Sequence, residues 1–75
     1  MHDLRRLRVF QAVAERRSFS EAALALGYAQ SVVSHHVAEL EQEFGLTLVD
    51  RTRRPVGLTD AGERLREHAA VVLGQ

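Results

Sequence analysis

A chain of 75 residues, 45% apolar and 27% charged, has room for one small domain and excludes a multidomain enzyme. Ten arginines, with no lysine, balance ten acids, and there is no cysteine to form a disulfide or a thiolate metal site. No apolar run approaches the roughly 20 residues of a membrane span, and MHDLRRLRVF lacks the apolar stretch of a signal peptide, so a cytoplasmic location is expected.

The elements follow in chain order. Leu4, Leu7, Phe10, Val13 and Ala14 form one helical stripe, predicting an amphipathic helix from Leu4 to about Glu15. Ser18-Phe19-Ser20-Glu21 reads as the start of a second, Ala-rich helix. Ser18 and Glu21 have capping-box spacing, but Ser20 is preferred as the cap, because Phe19 then precedes it as a hydrophobic staple. Gly27 ends this helix. A third helix is predicted from about Gln30 to Phe44, with Val33, Val37, Leu40 and Phe44 as its apolar face and Gly45 as its stop. Leu46–Val49 and Val56–Leu58 are short strand candidates around an Arg51–Pro55 turn, a hairpin with a basic tip. Thr59 caps a fourth helix whose apolar face is Ala61, Leu65, Ala69 and Val72. The expected fold is all-α with a small β-hairpin.

The zero net charge conceals an uneven distribution. Residues 35–50 hold four acids and no arginine, whereas residues 51–59 hold three arginines and no acid. Arginine suits bidentate contacts to phosphate and guanine. Ala23, Gly27 and Val33 have helix-turn-helix spacing: a small residue under the helix crossing, a residue for the tight turn, and an apolar plug. Such a crossing projects the start of the third helix outward, where it can enter a major groove. With the hairpin following, the pattern is a winged helix-turn-helix. Arg53 and Arg54 flank the wing turn without an acid in the run.

These segments taken together, LRRLRVFQAVAERRSFSEAALALGYAQSVVSHHVAELEQEFGLTLVDRTRRPVGLTDAGERL, resemble the N-terminal DNA-binding domain of LysR-type transcriptional regulators. The resemblance rests on an L-x-x-F helix, SF-[ST]-x-AA-x-x-L, the S-x-x-[IV]-x-x-LE recognition helix, a wing arginine and LT-x-AG. It implies a winged helix-turn-helix over residues 1–59, with the helix-turn-helix at 18–37 and the wing at 46–58. It also implies the start of a linker and dimerisation helix at 60–75. It implies a bacterial regulator that binds double-stranded DNA at an interrupted palindrome. Gln30, Ser31, Ser34 and His35 then match the base- and phosphate-contacting face, with Ser20 at the preceding turn and Arg51, Arg53 and Arg54 on the wing. Leu65, Ala69 and Val72 would pair two copies, weakly in this chain. Ending inside the fourth helix, without an effector-binding domain or small-molecule site, looks like a fragment of a longer regulator. Ala29 stands where the family usually has Ser, so the third helix is expected to lack a capping hydroxyl.

Other readings are weaker. His35 and His36 diverge by about 100° on a helix and cannot easily chelate together, and His2 and His68 are distant in sequence, so no metal or other cofactor is expected. No nucleophile elbow, phosphate loop or zinc motif points to an enzyme. Glu39, Glu41 and Glu43 read as a solvated or interdomain face. A protein-binding winged helix is the strongest rival, favoured by the neutral net charge and disfavoured by the acid-free wing.

Overall fold

The computed structural model describes residues 4–74. Among these described residues four helices and one two-stranded hairpin follow in the expected order: α1 (Leu4–Arg16), α2 (Phe19–Leu26), α3 (Gln30–Phe44), β1 (Val49–Asp50), β2 (Gly57–Leu58) and α4 (Asp60–Leu73). His2, weighed above as a metal ligand, and Gln75, the last residue of the expected linker segment, lie outside the described residues. Among the described residues no helix is long and apolar enough to cross a membrane, and no three His, Cys, Asp or Glu residues are grouped to hold a metal.

α1 is buried more completely than one stripe implies. Val9, Phe10, Gln11, Ala12, Val13 and Ala14 are all buried, because α2, α3 and α4 each pack on this helix. Leu4, placed on the stripe by periodicity, is instead 45% exposed. The N-cap of α2 is Ser18 and not Ser20. The Ser18 hydroxyl accepts the Glu21 N–H at 3.1 Å, and Ser20 lies two residues too far along, already inside the helix, its hydroxyl 3.1 Å from that of Ser18. Phe19 is therefore the first helical residue, not a staple before the cap. Its half-buried side chain packs against the core from there.

The α2–α3 turn has the expected construction. Ala23 and Val33 are buried, and Gly27 is left-handed at φ 75°, its N–H bonded to the Ala23 carbonyl at 2.9 Å. A Cβ on Gly27 would meet nothing within 4 Å, so conformation and not space requires glycine there. α3 buries Val33, Val37 and Leu40, but Phe44 is 48% exposed, lining an open apolar groove that α1 and α4 flank without closing.

The strands are shorter than expected. Val49 pairs with Leu58 and Asp50 with Gly57 in an antiparallel register, and Leu48, Val49 and Val56 are buried beneath the wing. The Thr59 hydroxyl accepts the Gly62 N–H at 3.1 Å and donates to the Thr47 carbonyl. One side chain thus caps α4 and ties it to the segment entering β1. Gly62 is buried at the same junction, where a Cβ would collide with the Leu48 carbonyl oxygen. The obstacle is backbone and cannot rotate away. Gly62→Ala is expected to destabilise the chain by about 1–3 kcal/mol despite the higher helix propensity of alanine, read from urea unfolding midpoints. A neutral effect would mean that the junction is looser than described.

Candidate nucleic-acid interface

Three segments far apart in sequence converge on one open groove of about 540 Å³. The first turn of α2 supplies Ser18, Phe19 and Ser20. The start of α3 supplies Gln30 and Ser34. The wing supplies Arg51 and Arg54 with Pro55 and Val56, and Arg17 closes the floor. No side chain caps Ala29, as expected, so the first-turn amides of α3 have no side-chain acceptor beside the groove. A helix N-terminus of this kind favours an incoming anion.

Of the residues singled out from sequence, Ser20, Gln30, Ser34, Arg51 and Arg54 line this groove. Ser31, His35 and Arg53 are exposed but lie outside it. His35 is engaged by its own helix, with Nε2 3.3 Å from Glu39 Oε2. The three wing arginines are not equivalent. Arg51 Nη1 lies 3.4 Å from Glu41 Oε1, and its guanidinium sits 4.9 Å from the centroid of the Phe19 ring. Arg54 donates to the Arg51 and Arg53 carbonyls at 2.9 and 3.2 Å. The Arg53 side chain runs across Gly57, where a Cβ would lie 2.7 Å from its Nη1. Arg53 also feels the charge of Asp50, so the wing is not acid-free in space: Asp50 sits beside Arg53, and Glu41 reaches Arg51 from α3.

Arg17, Ser18, Phe19 and Glu41 were not singled out as functional. The signal for Ser18 and Phe19 was the capping box itself, which places Ser18 at the groove once it is the cap, with Arg17 directly before it. The signal for Glu41 was electrostatic: an acid in the last turns of a helix is unfavourable unless something binds it. The expected solvated face is only partly so, since the Glu41 side chain is 18% exposed and hydrogen-bonded.

A second surface lies on the other side. A shallow apolar groove of about 310 Å³ runs between Leu4 and Leu7 of α1, Leu40 and Phe44 of α3, and Leu65 and Val72 of α4. Arg6 and Glu43, which also line it, pair at 3.2 Å. Leu65 and Val72 of the expected dimerisation set line this groove, whereas Ala69 is fully buried within the single chain. Val71, not singled out from sequence, is 80% exposed.

The wing turn carries the described group whose titration is clearly displaced. Hydrogen bonds from the Thr52 hydroxyl and backbone N–H, with a smaller contribution from Arg53, hold the Asp50 carboxyl below the ordinary value of 3.8. A depressed carboxyl stabilises the fold above its unfolded pKa, and that stabilisation is lost as pH falls through the lower folded value. The turn is therefore expected to loosen only in acid. The Asp50 carboxyl carbon should titrate below 3.8 by NMR, and Thr52→Ala should bring the midpoint back towards it. An unchanged midpoint in Thr52→Ala would remove the Thr52 hydroxyl as the cause.

Comparison with known proteins agrees with this geometry. The family described as "Bacterial regulatory helix-turn-helix protein, lysR family" matches residues 4–63. The regulator YfeR of Shigella flexneri is 52% identical over 64 residues, covering 85% of this chain and 21% of that protein. A probable cat1 operon transcriptional activator of Acinetobacter lwoffii is 48% identical over 73 residues, covering 97% of this chain and 24% of the relative. The chain thus spans between a fifth and a quarter of the length of these relatives. Among solved structures, the BenM DBD in complex with benA site 1 DNA superimposes with a TM-score of 0.94 at 40% identity, covering 97% of this chain and 85% of that one. Vibrio fischeri DarR in complex with DNA gives 0.92 at 31% identity, covering 100% of this chain and 26% of that one. With its helix-turn-helix, its wing and the matched segment all in agreement, this chain belongs to the lysR family of bacterial regulatory helix-turn-helix proteins.

Proposed function

We propose that this chain binds double-stranded DNA as the DNA-binding end of a transcription regulator. The start of α3 enters the major groove, and the wing arginines meet backbone or minor groove. The observation that carries the reading is the convergence of Ser18–Ser20, Gln30, Ser34, Arg51 and Arg54 on one groove beside an uncapped helix start. The solved DNA complexes of BenM and DarR, similar along nearly the whole chain, support it. Residues 1–59 form the DNA-binding unit, with the helix-turn-helix at 18–37 and the wing at 46–58. Residues 60–75 begin a linker segment, in which α4 (Asp60–Leu73) is the described helix. Ser20, Gln30, Ser31, Ser34 and His35 with Arg51, Arg53 and Arg54 form the DNA face, Gln30 and Ser34 at its centre.

One helix-turn-helix reads only a few base pairs, so the useful target is an interrupted palindrome bound by two copies. The self-contact falls on Leu65 and Val72, joined by the exposed Val71, with Ala69 supporting α4 from inside. Burying a few such side chains at about 25 cal/mol per Å² barely exceeds an association cost of at least about 4 kcal/mol, so this chain pairs weakly.

A protein-binding winged helix is separated from this reading by a salt titration on random duplex DNA. Phosphate binding weakens steeply with salt, whereas an apolar protein interface does not. Gln30→Ala is expected to cost about 1–3 kcal/mol on the selected operator and much less on random DNA. Equal loss on both would make Gln30 a positioning contact. Arg53→Ala with Arg54→Ala is expected to weaken binding to every duplex and flatten the salt slope by roughly two units. An unchanged slope would show that the wing does not reach phosphate.

A further inference from the structure

The acids of α3 sit at the unfavourable end of their helix. Glu39, Glu41 and Glu43 crowd its final turns, where the negative end of the helix dipole repels them, and no basic residue lies in the last turn. Each has a partner. Glu39 takes His35 at 3.3 Å and Glu43 takes Arg6 at 3.2 Å, both through side chains. Glu41 differs, because it binds backbone. Its Oε2 accepts the Leu48 N–H at 2.8 Å and the Val49 N–H at 3.2 Å, and its Oε1 meets Arg51 Nη1 at 3.4 Å. Leu48 and Val49 are each 1% exposed, so these amides have little recourse to water. They belong to the residues entering β1, and Arg51 follows directly after it.

We propose that Glu41 is the positioning residue that fixes the wing against the recognition helix, so that both meet DNA as one rigid surface. This inference rests on the DNA-binding reading above. The wing has two legs. The returning leg is held by the Val56 N–H bonded to the Arg17 carbonyl at 3.2 Å, which ties it to the α1–α2 turn. The outgoing leg is held to α3 by Glu41. Arg51 then extends the link to the first turn of α2, through its guanidinium over Phe19. Without Glu41, the hairpin keeps its register, and the Thr59 contacts still tie Thr47 and Leu48 to the start of α4. Its tip is no longer braced against α3, however, and Arg53 and Arg54 can shift from the path set by Gln30 and Ser34.

The atom assignment gives a discriminating substitution. Both backbone bonds end on one oxygen, so the single amide oxygen of Glu41→Gln can accept both while the ion pair to Arg51 is lost. Glu41→Ala loses everything. The test measures binding of the 75-residue chain to a random-sequence duplex across a salt series, with amide exchange at Leu48 and Val49 by NMR. Glu41→Ala should lower the salt slope by roughly two units, matching the Arg53→Ala, Arg54→Ala variant. Added to that variant, it should change affinity by no more than about twofold, because it acts through the wing. Exchange at the two amides should speed by at least about tenfold in Glu41→Ala and stay within about threefold of the parent in Glu41→Gln. The proposal is overturned if Glu41→Ala keeps both slope and protection, or if it weakens binding equally with and without the wing arginines, which marks a general loss of fold. Should Glu41→Ala not fold, Glu41→Gln decides alone, and loss of protection at Leu48 and Val49 there overturns the proposal. A parent chain without salt-dependent duplex binding would sink the DNA-binding reading by itself, and the exchange data would still report whether Glu41 holds the wing.

Discussion

The other three helices all lean on the buried middle of α1. Val9, Phe10 and Val13 have no exposed surface, and of the four aromatic residues only Phe10 is fully inside. Each such side chain contributes about 1.5–3 kcal/mol on burial, against a net stability of about 5–15 kcal/mol for a whole domain. Truncating any one of these side chains would therefore remove a large fraction of the margin by which the chain stays folded. Because α2, α3 and α4 all pack on that helix, it also sets their mutual orientation. The outward aim of the α3 start, with its exposed Gln30 and Ser31, follows from the way Val33, Val37 and Leu40 are drawn inward towards the same core.

A neutral chain can still present a positive face, and the disposition of its acids shows how. Glu39 and Glu43 are paired on α3, Asp50 is bonded within the wing turn, and Glu41 is bonded to backbone beneath it. None of these four carboxylates lines the groove that holds Arg17, Arg51 and Arg54. Net charge is thus a poor guide here. What a phosphate would meet is the local excess of guanidinium groups and helix amides, with the compensating acids turned inward or away.

The sequence was most legible where one residue type answers one local demand. The bounds of α3, the left-handed Gly27 and Gly45, and the Thr59 cap all follow from local chemistry and are found as expected. It was least legible where tertiary contacts choose between equal local options. Ser18 and Ser20 are both sound caps, and the choice falls to Ser18 in a fold where Phe19 packs on the core and lies under Arg51. The stripe through Phe44 is continuous in sequence, but α1 and α4 flank its end without closing over it. Five of the proposed DNA-facing residues share the groove, while the engagement of Arg51 by Glu41 depends on a ten-residue separation that no periodicity encodes.

The central claim is that the groove between the α3 start and the wing receives the duplex. It is tested most directly by NMR titration of the labelled chain with a short duplex at low salt. The largest amide shifts are expected at residues 18–20, 30–35 and 51–56, and they should collapse together as salt is raised. Shifts centred instead on Leu4, Phe44, Leu65 and Val72, insensitive to salt, would contradict the account and assign the interaction to the apolar groove on the other side.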